Sequence, residues 1–199
     1  MASNLNIAIA ILAAGASTRM GTPKQLLNWG NTSLIKHTIN TSKKTTANET
    51  VVVLGAHYET IASEIQNESV SIIFNEKWEQ GLGKSIASAA NFVLNSNKNI
   101  NGLLIVLADQ PFVTVSFLNE IIDRFKPNSK EIIATLYESG KYGVPVLFDK
   151  NYFEELSELS EDDGAKSIIK KYSNSVKTIT PSFKNVDIDT KEDFERFSK

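Results

Sequence analysis

Residues 12–27, LAAGASTRMGTPKQLL, follow directly on the apolar run NIAIAI, and their reading decides the rest of the chain. An apolar strand ends here in small residues and glycines, and two cations follow at Arg19 and Lys24. Gly15 and Gly21 let backbone approach a ligand closely, and Ala13, Ala14, Ala16 and Ser17 add no bulk against one. Successive N–H groups in such a turn form an anion-binding nest. Arg19 offers a planar fork to phosphate oxygens and Lys24 a mobile point charge. The spacing is neither G-x-G-x-x-G nor G-x-x-x-x-G-K-[ST], so a phosphate loop here is of neither the Rossmann nor the P-loop kind. The same residues also suit a tight strand-to-helix connection with two solvated cations, and the loop alone leaves both readings open.

Working outward, short β-rich apolar runs recur at 6–12, 50–55, 69–74, 102–108, 131–137, 144–148 and 175–180. Several are continuous rather than alternating, as expected of strands covered by helices on both faces. Helical patterns fall between them at 32–44, 57–67, 84–96, 114–126, 151–159, 164–172 and 190–198, with Thr32 and Thr114 as N-cap candidates. Phe117, Leu118, Ile121, Ile122 and Phe125 make one apolar stripe. Strand and helix alternating in this way predict a mostly parallel α/β sheet with right-handed crossovers. Ligands of such sheets bind beyond the carboxyl ends of the strands. That singles out LAAGASTRMG, NEKWEQGLGKS (75–85) and ADQPF (108–112).

The chain has 199 residues and no linker-like tract, so a single domain over 1–199 is expected. Apolar residues at 41% and charged residues at 22% are the balance of a globular protein rather than a disordered or membrane one. A net charge of −2 gives no basic footprint for nucleic acid, while one small anion needs only two or three cations. Cysteine is absent, which excludes disulfides, thiolate metal sites and cysteine nucleophiles. Two histidines make a multi-histidine zinc cage unexpected. MASNLNIAIAILAAG has no basic leader region and its apolar run is too short to span a bilayer, so no membrane association and a cytoplasmic location are expected.

In the second loop Gly81 and Gly83 flank Leu82, and Lys84 and Ser85 open a helix whose free N–H groups suit an anion or a base edge. A glycine turn capped by Ser85 explains the stretch equally well. In the third, Asp109 follows the strand at once, where a carboxylate faces the first loop and offers oxygen to a hard divalent cation. It can equally cap the turn before Pro111. Near the C-terminus, NVDIDTKEDF puts Asp187 and Asp189 on one face of an extended segment. Paired carboxylates repel unless a cation lies between them, although solvated aspartates before a helix are common.

LAAGASTRMGTPKQLL fills every fixed position of L-A-A-G-x-S-x-R-M-G-x-x-K-x-L-L and thereby resembles the molybdenum cofactor cytidylyltransferases, within the MobA-like NTP transferases. The guanylyl-transferring branch typically reads L-A-G-G, and methylerythritol phosphate cytidylyltransferases read closer to A-A-G-x-G-x-R, so Ala14 and Ser17 lean to the first group. NEKWEQGLGKS is similar to the family's N-x-x-W-x-x-G-x-G-x-S, LADQP to its metal-aspartate motif, and DIDTKED to D-I-D-T-P-E-D with Lys191 in place of proline. YGVPVLF (142–148) and EDDGAKSII (161–169), with Lys166 where arginine is usual, resemble acceptor-side segments, although a hairpin turn and a helix cap describe them as well.

The resemblance implies a three-layer α/β/α domain with a Rossmann-like sheet of the nucleotide-diphospho-sugar transferase type. It implies transfer of CMP from CTP to the phosphate of molybdopterin, with magnesium as cofactor and pyrophosphate as product. By it, Leu12, Ala13, Ala14, Gly15, Arg19, Lys24, Gly81, Gly83 and Ser85 bind nucleotide. Arg19, Lys24 and Asp109 are catalytic, and Asp109 with Asp187 or Asp189 holds the metal, Asp187 being slightly favoured. A molybdenum hydroxylase is the expected recipient of the product. Two alternatives keep most of this machinery: another phosphate acceptor, such as methylerythritol phosphate or a sugar phosphate, or a non-catalytic partner of a molybdenum hydroxylase.

Overall fold

The computed structural model describes residues 5–160, 164–183 and 186–198. Its centre is a seven-stranded sheet built from β1 (Ile7–Ala13), β4 (Glu49–Leu54), β5 (Ser71–Phe74), β6 (Gly102–Leu107), β7 (Ile132–Leu136), β8 (Tyr142–Asp149) and β9 (Val176–Ile179). The strand order is β5-β4-β1-β6-β8-β7-β9. β1 pairs in parallel with β4 and β6, with Ala13 opposite Leu54 and Leu12 opposite Leu107. β8 alone runs against its neighbours, antiparallel to both β6 and β7.

The continuous apolar runs have the cause their pattern suggests. Along β1, Ala8, Ala10 and Leu12 face one core layer, and Ile7, Ile9, Ile11 and Ala13 face the other. The first layer is completed by α3 (Leu82–Leu94), α5 (Phe153–Ser157) and α6 (Lys166–Lys171). The second is completed by α1 (Leu34–Lys43), α2 (Tyr58–Ile65) and α4 (Val115–Arg124). The result is a three-layer α/β arrangement, as the alternation of elements predicts.

Local chemistry sets the boundaries. Thr114 caps α4 as expected, its hydroxyl accepting from the Phe117 N–H at 3.2 Å. The stripe from Phe117 to Phe125 is buried against the sheet. Thr190 opens α7 (Lys191–Phe197) with a capping box closed by Asp193, so the absence of proline at position 191 is offset by two reciprocal hydrogen bonds.

Thr32 does not cap α1. Residues 28–33 form a small hairpin, β2 (Asn28–Trp29) and β3 (Thr32–Ser33), turned at Gly30 with φ of 59°. Ser33 occupies the N-cap position, and its hydroxyl donates to Glu64 Oε1 at 2.9 Å rather than serving the helix. A two-residue strand pair carries too little periodicity to register as a strand.

Candidate functional site

The loop after β1 is fastened from inside. Gln25 is 1% exposed, and its amide donates to the Ala13 carbonyl at 2.9 Å and the Gly15 carbonyl at 3.0 Å. Ser17, held at φ of 55°, donates its hydroxyl to Gln25 Oε1 and accepts from the Lys24 N–H at 3.1 Å. These bonds fix the short 3-10 turn Lys24–Leu26, so the Lys24 side chain leaves a rigid base. A Cβ built on Gly15 meets no atom within 4 Å, so packing does not require glycine there and the space above it is open.

The loop after β5 forms the opposite wall. Asn75 is buried, bonded through its N–H to Leu54 O at 2.8 Å, and it accepts from the Lys77 N–H and donates to Ser85 Oγ. Trp78 lies on Gly55, where an added Cβ would be 2.4 Å from the Trp78 Cβ and 2.8 Å from the Ala14 carbonyl. Gly81 then enters α3 at φ of 98°, a left-handed conformation that favours glycine.

Between these walls lies a cleft of about 270 Å³ at the carboxyl ends of β1 and β6. Leu12, Ala13, Ala14, Gly15, Lys24, Gly81, Ser85 and Asp109 line it, together with Gln25, Trp78 and Leu82. The three loops singled out in the sequence therefore converge. Two expected residues stand apart. Gly83 is buried in the first turn of α3 and does not line the cleft. Arg19 is exposed, outside the lining, and pairs with no described acidic residue.

Lys24 Nζ lies 2.6 Å from Asp109 Oδ2 and 2.7 Å from Asp189 Oδ1. Burial works to lower the Lys24 pKa, but the charges and hydrogen bonds of Asp109 and Asp189 prevail and hold it above the ordinary lysine value. Burial raises Asp109 above the ordinary aspartate value. The Lys24 ammonium opposes that shift, and the charges of Asp187 and Asp189 add to it. Asp109 Oδ1 is buried with no partner among the described residues.

The segment carrying the other two aspartates is strapped to this corner. Ile188 is fully buried, and its N–H donates to the Asp109 carbonyl at 2.9 Å. Asp187 accepts from the buried Gln110 amide at 2.8 Å, whereas Asp189 turns to Lys24. Asp187 also borders a second cleft of about 400 Å³ shared with Tyr137, Thr180 and Phe183. Among the described residues no three acidic, histidine or cysteine side chains form a ready metal cage. Still, the donors here are all carboxylate oxygens, and one of them is buried without a partner. That chemistry fits a hard divalent cation.

Sequence reasoning did not find Gln25, and it gave no role to Asn75, Trp78 or Gln110, although these three fill fixed positions of N-x-x-W-x-x-G-x-G-x-S and L-A-D-Q-P. Gln25 adjoins Lys24, and the burial of an uncharged amide beside a conspicuous charge leaves no periodic trace. Of EDDGAKSII, residues 161–163 lie outside the described residues. Gly164 packs against Leu82, bringing the remainder of that stretch beside the cleft wall. No described helix is long and apolar enough to cross a membrane.

The chain is a member of the MobA-like NTP transferase domain family, which it matches over residues 9–176. It is 27% identical to the nicotine blue oxidoreductase of Paenarthrobacter nicotinovorans, over 80% of this chain and 79% of that one. It is 26% identical to the purine catabolism protein PucB of Bacillus subtilis strain 168, over 92% of each. The crystal structure of Rv0371c from Mycobacterium tuberculosis H37Rv superposes with a TM-score of 0.84 at 27% identity, covering 98% of this chain and 97% of that one. Rv0371c has also been solved in complex with manganese, with a TM-score of 0.79 at 25% identity, over 96% of this chain and 97% of that one.

Proposed function

We propose that this protein is a cytidylyltransferase that moves CMP from CTP to the phosphate of a small acceptor, molybdopterin being the acceptor its motifs favour. The observation that carries the proposal is the Lys24–Asp109 pair, set at the floor of a cleft whose walls are the LAAG loop and the W-x-x-G-x-G-x-S loop.

In this reading an oxygen of the acceptor phosphate attacks the α-phosphorus of CTP, the bond to the β-phosphate breaks, and pyrophosphate leaves. Positioning and charge neutralisation carry such a step. No general base is needed, because a phosphate oxygen is already ionised near neutral pH. Backbone around Ala14 and Gly15, kept rigid by Gln25, holds the nucleotide close to the strand edge. Lys24 neutralises charge on the phosphates, and the exposed Arg19 closes over them from the loop tip. Asp109 and Asp189 would hold a divalent cation, with Asp187 supporting the same corner through Gln110. That ion, magnesium or manganese, would supply Lewis-acid neutralisation of phosphate oxygens.

Purified protein incubated with molybdopterin, magnesium and CTP should release pyrophosphate and form a cytidylylated pterin. Release only with methylerythritol phosphate or a sugar phosphate would move the assignment to another acceptor. The kinship with a protein named an oxidoreductase makes redox turnover the competing outcome. Reduction of an added electron acceptor at the expense of an added electron donor, without pyrophosphate release, would favour it.

A further inference from the structure

The position of the Lys24 ammonium, between two carboxylates drawn from distant parts of the chain, suggests more than a static ion pair. We infer that in the ligand-free protein Lys24 occupies the place a divalent cation takes between Asp109 and Asp189, so that loading the metal and freeing Lys24 for phosphate are one exchange. This rests on the reading of Asp109 as a metal ligand.

The geometry is direct. One nitrogen contacts an oxygen of each aspartate at 2.6 and 2.7 Å, which brings both oxygens onto a single point. A cation ligated by both needs that same point. Two cations cannot share it, since charges of like sign at such separations repel strongly in a site this sheltered. The ammonium also leaves donor capacity unused, because Asp109 Oδ1 is buried without a partner among the described residues.

Lys24 is equipped to leave. Its backbone is pinned by Ser17, and its neighbour Gln25 is pinned by the loop carbonyls, so the four-carbon stem alone has to move. The cleft that Lys24 lines also contains Gly15, above which the space is open. Nucleotide phosphates entering there offer the displaced ammonium a new partner of the same charge type. Coupling of this kind is reciprocal, so phosphate that draws Lys24 away tightens metal binding, and metal tightens phosphate.

The test uses Mn²⁺ without nucleotide, with free ion followed by electron paramagnetic resonance. Lys24→Met should bind Mn²⁺ about tenfold or more tightly than the wild type, because the competing charged hydrogen bonds are gone. Equal or weaker binding overturns the exchange. Adding Asp109→Asn to Lys24→Met separates the two layers of the argument. Loss of Mn²⁺ binding keeps Asp109 as a ligand whatever Lys24 does, whereas retained tight binding removes the ligand assignment and the exchange with it. A Lys24→Met chain that does not fold is bypassed in the wild type. The Lys24 side-chain resonance in lysine-labelled protein, assigned by its loss in Lys24→Arg, should move during a Mg²⁺ titration with the midpoint of metal binding. A resonance that stays fixed to saturation also overturns the exchange.

Discussion

Lys24 and Asp109 meet across 85 residues of sequence, and substitution at either one separates binding from chemistry. Lys24→Ala should lower kcat by about 10²–10³, the range for removing one preorganised donor to developing charge. KM for nucleotide should rise less, because the ammonium matters most as charge redistributes in the transition state. Steady-state kinetics check this, and an effect confined to KM would make Lys24 a ground-state contact. Asp109→Ala should abolish pyrophosphate release while thermal unfolding stays cooperative. The fold survives because Lys24 keeps Asp189 as a partner and the backbone bond from Ile188 to residue 109 does not need the carboxylate. Full turnover in that variant with magnesium present would remove Asp109 from the reaction.

At the scale of elements, the two walls of the cleft depend on how closely loops approach one another. Gly55→Ala should push Trp78 outward, since the new methyl would lie 2.4 Å from the Trp78 Cβ. Overpacking costs about 1–3 kcal/mol, which here should appear as nucleotide binding weakened by about ten- to a hundredfold, measurable by calorimetry. Thr190→Ala removes the α7 cap and should cost about 0.5–2 kcal/mol, read as faster amide exchange in α7 and as a lower urea midpoint. These elements differ in how visible they are in sequence. Strands such as β1 and β6 announce themselves because burial on both faces demands an unbroken apolar run. The β2–β3 hairpin does not, because it is held by a glycine turn. The reversed direction of β8 was available from spacing, since the five residues between β7 and β8 are too few for a parallel crossover. The cleft residues that carry charge or glycine were legible from the loops. Gln25 was not, because a buried amide acts through tertiary hydrogen bonds that no local pattern encodes; Asn75 and Gln110 stood in quoted motifs, but their hydrogen-bonding roles were not readable there.

For the whole molecule the sharpest expectation is base choice. The base would lie where Ala14, Trp78 and Leu82 line the cleft of about 270 Å³. Shape alone discriminates modestly, but backbone hydrogen bonds to a cytosine edge can reach on the order of 10⁴-fold where the wrong base leaves a buried group unpaired. The ratio of kcat/KM for CTP to that for GTP and ATP with one acceptor measures this, and a GTP preference would leave only the broader nucleotidyltransferase reading. The Lys24–Asp189 contact, which spans 165 positions, has a further consequence for manufacture. At about 5–20 residues per second a ribosome adds the aspartate on the order of ten seconds after the lysine. Until then the parallel strands β1, β4, β5 and β6 can assemble around a cleft whose floor lacks its second carboxylate. The nascent chain thus gains the glycine-lined cleft early and its complete charge set only once Asp189 has been added.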